Sequence, residues 1–274
     1  MIPLEDTFTD IIGKARRGLK LTEDGRLAAE AGLAASEVAE VAAGKVNESA
    51  LRKVARALQL GEQTLVESAN KRWYPAPQQL DGLAQFNTPY EDMTVNSYLV
   101  WDPVSREAVA FDTGANCQPM LDYAKENGLQ IKLILLTHTH GDHVKDLAKL
   151  RLETGAPAWV GEREAMIGTK PFTAGASFNA GGLRIESRET SGHSAGGITY
   201  VVSGLARPVA VVGDAIFAGS MGGGLVSYAE ALSNNRKHIF SLPEQTILCP
   251  GHGPLTTVGE EKQHNPFYPE FQKH

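Results

Sequence analysis

Along the first 70 residues, apolar side chains recur three and four positions apart. Phe8, Ile11, Ile12 and Ala15 form one set, Leu27, Ala28 and Ala31 a second, and Leu51, Val54, Ala55 and Leu58 a third. This spacing lines one face of an α-helix. Gly32, Gly44 and Gly61 interrupt it where glycine commonly follows a helix end. The pattern predicts a small all-α bundle over residues 1–70. Pro75 and Pro77 then disfavour helix, so residues 71–79 are expected to be a linker, with Trp73 and Tyr74 packed at the junction.

From about residue 80 the texture changes to short β-prone runs and glycine turns. Residues 95–101, 108–111, 131–136, 183–187, 198–202, 209–212 and 246–248 read as strands, and 120–126, 144–153 and 228–241 as helices. Strands interleaved with helices predict an α/β domain over 80–274, its sheets covered by helices.

Composition narrows the class. With 42% apolar and 21% charged residues, the chain is an ordinary globular one rather than a disordered one. Its formal net charge of −6 argues against a broad surface for polyanions. Two cysteines, Cys117 and Cys249, make no disulfide scaffold and suit a reducing compartment. No apolar run approaches the ~18 residues of a membrane span, and no basic-then-apolar leader opens the chain. A cytoplasmic protein without a membrane partner is expected.

The densest chemistry is Thr137-His138-Thr139-His140-Gly141-Asp142-His143, which follows directly on the apolar run 131–136. Three of the eight histidines and an aspartate crowd the exit of a buried strand, where α/β folds place their sites. Imidazole and carboxylate are donors that suit zinc and iron. His138 and His140, two apart in extended chain, face the same way, and Gly141 lets Asp142 and His143 turn toward a second point. His193 lies in a glycine turn between two strands, Asp214 follows the 209–212 strand, and His252 sits in the turn 249–254. Each alone is more often a turn residue than a ligand. Together they end elements that should meet at one sheet edge. Asp112-Thr113-Gly114 closes another strand.

His-x-His-x-Asp-His, Gly-His-Ser, Gly-Asp and Gly-His-Gly-Pro, in this order, resemble the metallo-β-lactamase superfamily over roughly residues 85–268. The run 250–260, with Asn265-Pro266-Phe267, is similar to short bacterial glyoxalase II-like hydrolases. The resemblance implies an αβ/βα sandwich holding two divalent metal ions, with zinc expected first and iron or manganese as alternatives. It gives His138, His140 and His193 to one ion, Asp142, His143 and His252 to the other, and Asp214 to both. Asp112 would stand behind the ligands and orient them, and Thr137 and Ser194 would hold the ligand loops.

The implied reaction is hydrolysis of a small-molecule substrate. A water shared by two ions can ionise near neutral pH and attack a carbonyl, with Asp142 and Asp214 as the catalytic carboxylates. A thioester of the hydroxyacylglutathione type, or a related small ester, is the expected substrate. β-Lactamases of the family commonly carry cysteine where Asp214 stands, which disfavours antibiotic hydrolysis. His274 comes only 22 residues after His252, so no helical C-terminal domain of the glutathione-contacting kind is expected, and residues 219–224 lack an expected arginine. Both departures weaken glutathione specificity. Residues 219–224 are expected to form a flexible rim, and Tyr90, Met221 and Tyr228 to line the pocket. A mononuclear iron persulfide dioxygenase using His138, His193 and Asp214, and a lactonase or phosphodiesterase, are the alternatives.

Residues 11–22, 27–33 and 51–60 resemble the helix-turn-helix domain of phage-repressor-type regulators, with Gly32 as the turn. This implies a DNA-binding regulator with a metallo-β-lactamase-fold sensor. The charges point elsewhere. The recognition helix, residues 36–43, carries Glu37 and Glu40 and no basic residue, and residues 1–70 hold nine Lys/Arg against eleven Asp/Glu. DNA binding draws on basic side chains. The expected role is homodimerisation or shielding of the site, with Arg16, Arg17, Lys45, Arg52, Lys53 and Arg56 as a solvated face.

Overall fold

The structure, a computed structural model, describes residues 1–272; Lys273 and His274, the end of the expected 80–274 domain, lie outside the described residues. Five helices come first: α1 (Phe8–Gly18), α2 (Asp24–Ala31), α3 (Ala35–Ala42), α4 (Glu48–Ala57) and α5 (Glu62–Ala69). Thr7 opens α1 with a reciprocal cap, accepting from the Asp10 amide while its own amide donates to Asp10. Gly32, in the left-handed region at φ 62°, closes α2, and Asn47 caps α4. Residues 71–79 hold no helix or strand.

Two six-stranded sheets follow. The first is built, in spatial order, from β1 (Leu83–Tyr90), β2 (Met93–Trp101), β3 (Glu107–Phe111), β4 (Gln130–Leu136), β5 (Ala158–Gly161) and β6 (Lys170–Phe172). Between these strands run α6 (Gln118–Glu126), α7 (Gly141–Val144) and α8 (Leu147–Thr154). The second sheet contains β7 (Ser177–Ala180), β8 (Leu183–Glu189), β9 (Ile198–Ser203), β10 (Val209–Gly213), β11 (Ile247–Pro250) and β12 (Thr256–Thr257), in the reverse order from β12 to β7. α9 (Tyr228–His238) and α10 (Val258–His264) complete the α-helices among the described residues.

The two-residue period of the strands assigns side chains to layers. Tyr98 and Val100 of β2 enter the core between the sheets, whereas Leu99 and Trp101 face α6 and α8. In β10, Val209 and Val211 point inward, and Ala210 and Val212 point to the opposite face. Both faces are covered, which explains why these strands read as continuous apolar runs rather than alternating ones. The covering of the second sheet includes α9, α10 and the N-terminal helices. Phe8, Ile11, Ile12, Leu51 and Leu65 share one hydrophobic cluster with Val212, Ile216, Met221 and Phe267.

Three expectations need correction. The helix expected at 144–153 is two, because Asp146 leaves the helical path to accept the Cys117 amide at 2.9 Å. The helix expected at 228–241 ends at His238, where Phe240 turns inward against Tyr268, with ring centroids 4.4 Å apart. The edge strand β1 escaped the sequence reading because its polar residues and Pro89 give a weak strand pattern.

Candidate metal centre

The donors arrive from the ends of four strands. β4 delivers residues 137–143, the β8–β9 turn delivers His193, β10 delivers Asp214, and β11 delivers His252. Parallel pairing of β3 with β4, and of β10 with β11, puts the relevant C-terminal ends along one edge of the sandwich.

The structure gathers these side chains into two groups: His138, His140, His193 and Asp214, and Asp142, His143 and His252, with ligand atoms in each group within 4.8 Å of one another. In the first, His140 Nδ1 lies 3.0 Å from His138 Nε2 and 3.1 Å from His193 Nε2, and His193 Nε2 lies 3.2 Å from Asp214 Oδ2. In the second, His252 Nε2 and His143 Nε2 lie 3.3 and 3.6 Å from Asp142 Oδ2. Asp214 Oδ1 approaches His143 Nε2 at 3.2 Å, while its Oδ2 lies 3.2 Å from His193 Nε2 and 3.5 Å from His252 Nε2, so Asp214 stands between the two groups.

These residues fit a pair of cations. Donors about 2.1 Å from a tetrahedral ion stand about 3.4 Å apart, close to the spacings seen. Asp214 Oδ1 and His143 Nε2 are buried without a hydrogen-bond partner. A Cβ on Gly251 would come within 2.1 Å of Asp214 Oδ1, so that small cradle depends on glycine. The far ring nitrogens are tied to fixed acceptors: His143 Nδ1 to Asp112 at 2.8 Å, His193 Nδ1 to the Gly223 carbonyl at 3.0 Å, and His252 Nδ1 to the Thr94 carbonyl at 2.7 Å. A proton on each Nδ1 leaves the Nε2 lone pair facing inward.

Electrostatics reinforce this demand for positive charge. Burial opposes ionisation of Asp214, yet His252 and His143 hold its carboxyl well below the usual range. Burial also opposes charge on His143, but Asp214 and Asp112 push it up to about 10. His252 goes to about 11, where Asp214 and Asp142 outweigh burial. His138, by contrast, is held well below the ordinary value by burial and then by neighbouring His143.

Asp112 lies behind the donors. It accepts from the Thr137 amide at 2.7 Å and the Thr137 hydroxyl at 2.8 Å as well as from His143. Thr137 Oγ1 also touches His138 Nδ1 at 3.0 Å. Sequence reading missed Glu164, whose carboxylate takes the Thr139 hydroxyl at 2.5 Å and the Gly196 amide at 2.9 Å, stapling the His138–His143 loop to the His193 loop. Burial raises the Glu164 carboxyl, but the Thr139 and Gly196 bonds outweigh it and hold it below the ordinary range. No spacing relates Glu164 to the motif, so nothing in the sequence marks it.

The expected pocket lining is only partly realised. Tyr90 reaches Gly141 at the opening. Met221 is buried and takes the Tyr268 hydroxyl on its sulfur, and the half-buried Tyr228 packs against Gly18 and Phe267. Residues 219–224 are not a free rim. The Gly222 amide donates to the Asp214 carbonyl at 3.0 Å, and a Cβ on Gly222 would meet that carbonyl at 2.0 Å. Trp73 stacks on His264 at 4.8 Å, and Tyr74 donates to the Ile2 carbonyl at 2.6 Å.

The sequence profile of the metallo-beta-lactamase superfamily matches residues 90–252, which hold the whole donor set. The chain belongs to the metallo-beta-lactamase superfamily. It is 27% identical to a hydroxyacylglutathione hydrolase, GloC, of Haemophilus influenzae, over 63% of this chain and 92% of that one. The crystal structure of the B3 metallo-beta-lactamase BLEG-1 is similar at 28% identity and a TM-score of 0.56, covering 68% of this chain and 99% of that one. That of TTHA1623 in a di-iron-bound form is similar at 26% identity and a TM-score of 0.53, covering 66% and 99%. Superfamily membership accounts for the sandwich and its edge site. No helix among the described residues is long and apolar enough to cross a membrane.

Proposed function

We propose that this protein is a two-metal hydrolase of a thioester of the hydroxyacylglutathione type or a related small ester. One observation carries the reading: the Asp214 carboxylate lies between two donor groups, within 3.2 Å of His193 in one and within 3.2 and 3.5 Å of His143 and His252 in the other. The mononuclear iron alternative would use His138, His193 and Asp214 and leave Asp142, His143 and His252 converging on nothing. The similarity to GloC supports the thioester class. Zinc suits the nitrogen and oxygen donors, and the similarity to the di-iron TTHA1623 supports iron as the other candidate.

Two divalent ions held here would supply a water of lowered pKa and a polarised substrate carbonyl. The rest falls to the chain. His138, His143, His252 and Asp214 are buried, whereas His140 and Asp142 are half-buried and mark the opening. Substrate enters past Tyr90 on one side and the exposed apolar Leu225 and Val226, which follow the His193-bound Gly223, on the other. Asp142, the carboxylate nearest the opening, is placed to take the proton of an ionising water. Asp214, held ionised and clamped between the groups, fixes where that water sits. No serine or cysteine nucleophile is needed.

The test is metal analysis of protein purified without added metal, followed by thioester cleavage with S-lactoylglutathione and simpler acyl thioesters. Two ions per chain and cleavage lost in His138→Ala and His140→Ala are expected. One iron per chain with thiol-dependent oxygen uptake would establish the dioxygenase alternative instead.

A further inference from the structure

The N-terminal helices carry little of the charge that DNA binding needs, yet α1 lies against the segment that supplies Asp214 and braces His193. We propose that Asp6 and Lys14 are positioning residues of the metal centre, which fix residues 214–224 and through them the bearing of His193 and Asp214. The proposal rests on the two-metal reading above.

The Lys14 ammonium makes three contacts. It donates to Asp6, donates to the Met221 carbonyl at 2.8 Å, and lies 4.9 Å over the Phe217 ring. Asp6 accepts in addition from the Ser220 hydroxyl at 2.5 Å. The pair is largely enclosed, with side-chain exposures of 13% for Lys14 and 8% for Asp6, so solvent does little to loosen it. From there the path to the donors is short. Phe217 and Ser220 exchange backbone hydrogen bonds at 3.0 and 3.1 Å. One residue beyond Met221, the Gly222 amide holds the Asp214 carbonyl at 3.0 Å. The carbonyl of the following residue, Gly223, accepts from His193 Nδ1 at 3.0 Å. Phe217 itself sits edge-on to His252, with ring centroids 5.4 Å apart.

A chain of glycines has many conformations to lose. Residues 219–224 contain four glycines, and none of their side chains can fix the Gly223 carbonyl. Contacts from outside the loop must do so: Glu261 holds the Gly219 amide, Asn265 holds the Ser220 carbonyl, and the Asp6–Lys14 pair grips Ser220 and Met221, two residues before the carbonyl that orients His193. On this account the helical region is a brace for the metal centre.

The experiment uses the full chain, loaded with zinc and stripped by a competing chelator, so that two stepwise affinities are read. His193→Ala marks which affinity belongs to the ion that His193 holds. Lys14→Met removes the grip, and Ser220→Ala, a milder change, removes one bond of it. Arg56→Met breaks the exposed Arg56–Glu62 pair of the same helical region, away from the loop, and serves as control. Both Lys14→Met and Ser220→Ala are expected to weaken that ion about tenfold, the lower end of what losing an outer partner of a metal ligand does, with Arg56→Met neutral. Unchanged zinc affinities in both variants, or a fall in thermal stability with both affinities kept, would overturn the proposal. A wild-type chain that binds no more than one ion, of zinc or of iron, would overturn the two-metal reading itself.

Discussion

At Asp214 a buried carboxylate faces imidazoles on both sides, and the residues behind those imidazoles decide how well they can serve a cation. Asp112 is the clearest case, because one of its oxygens takes both the His143 ring proton and the Thr137 hydroxyl. Asp112→Asn replaces an acceptor of two donors by a group that also donates. The expected result is a 10- to 100-fold weaker hold on the ion at His143, read by chelator competition, with the fold retained. Glu164 works on the loops rather than on a ring, through Thr139 and Gly196. Glu164→Ala should therefore lower activity less than Asp112→Asn does, which parallel steady-state kinetics will check.

Among the elements, the turn after β10 is the most constrained. It must carry Asp214 to the site and then fold back so that Gly222 touches the Asp214 carbonyl. A methyl group at Gly222 would lie 2.0 Å from that carbonyl and 2.8 Å from His193 Nδ1, and backbone cannot step aside cheaply. Gly222→Ala should destabilise the protein by about 1–3 kcal/mol, in the range of overpacked interiors, and lower metal content, measured by denaturant unfolding and elemental analysis. The strands were legible where both faces are apolar, as in β4 and β10, because long Val, Ile and Leu runs leave few other readings. β1, β5, β6 and β7 were not, since short strands and polar edge strands carry little period of their own. The break between α7 and α8 was hidden for another reason: Asp146 leaves the helix to meet Cys117, a partner 29 residues away in sequence.

Across the whole molecule, Glu261 joins the C-terminal helix to the segment around the site. It is fully buried, and its carboxylate accepts from the Gly219 backbone amide at 3.0 Å, the Thr256 hydroxyl at 2.7 Å and the Asn265 side-chain amide at 2.8 Å. Burial outweighs these bonds and pushes its carboxyl from 4.5 up to about 8. The folded state therefore prefers the protonated form. Its contribution to stability is full below pH 4.5 and is lost as pH rises to about 8. Glu261→Gln, which cannot ionise, should flatten that part of the pH dependence; unfolding by denaturant at pH 5 and pH 8.5 tests it.

What the sequence determined by itself is the identity and order of the candidate donors: a cluster at the end of one apolar run, and a histidine or aspartate at the ends of three later elements. Strand exits are local features, and a six-residue crowd of histidines stands out without any partner. Only the tertiary structure decided what holds those donors. The acceptors for His193 and His252 are the carbonyls of Gly223 and Thr94, and a carbonyl carries no residue identity for a sequence to display. Glu164 and the Asp6–Lys14 pair reach the site only because two sheets and a helical bundle pack together. Packing of that kind joins residues as far apart as Lys14 and Met221, which no local period connects.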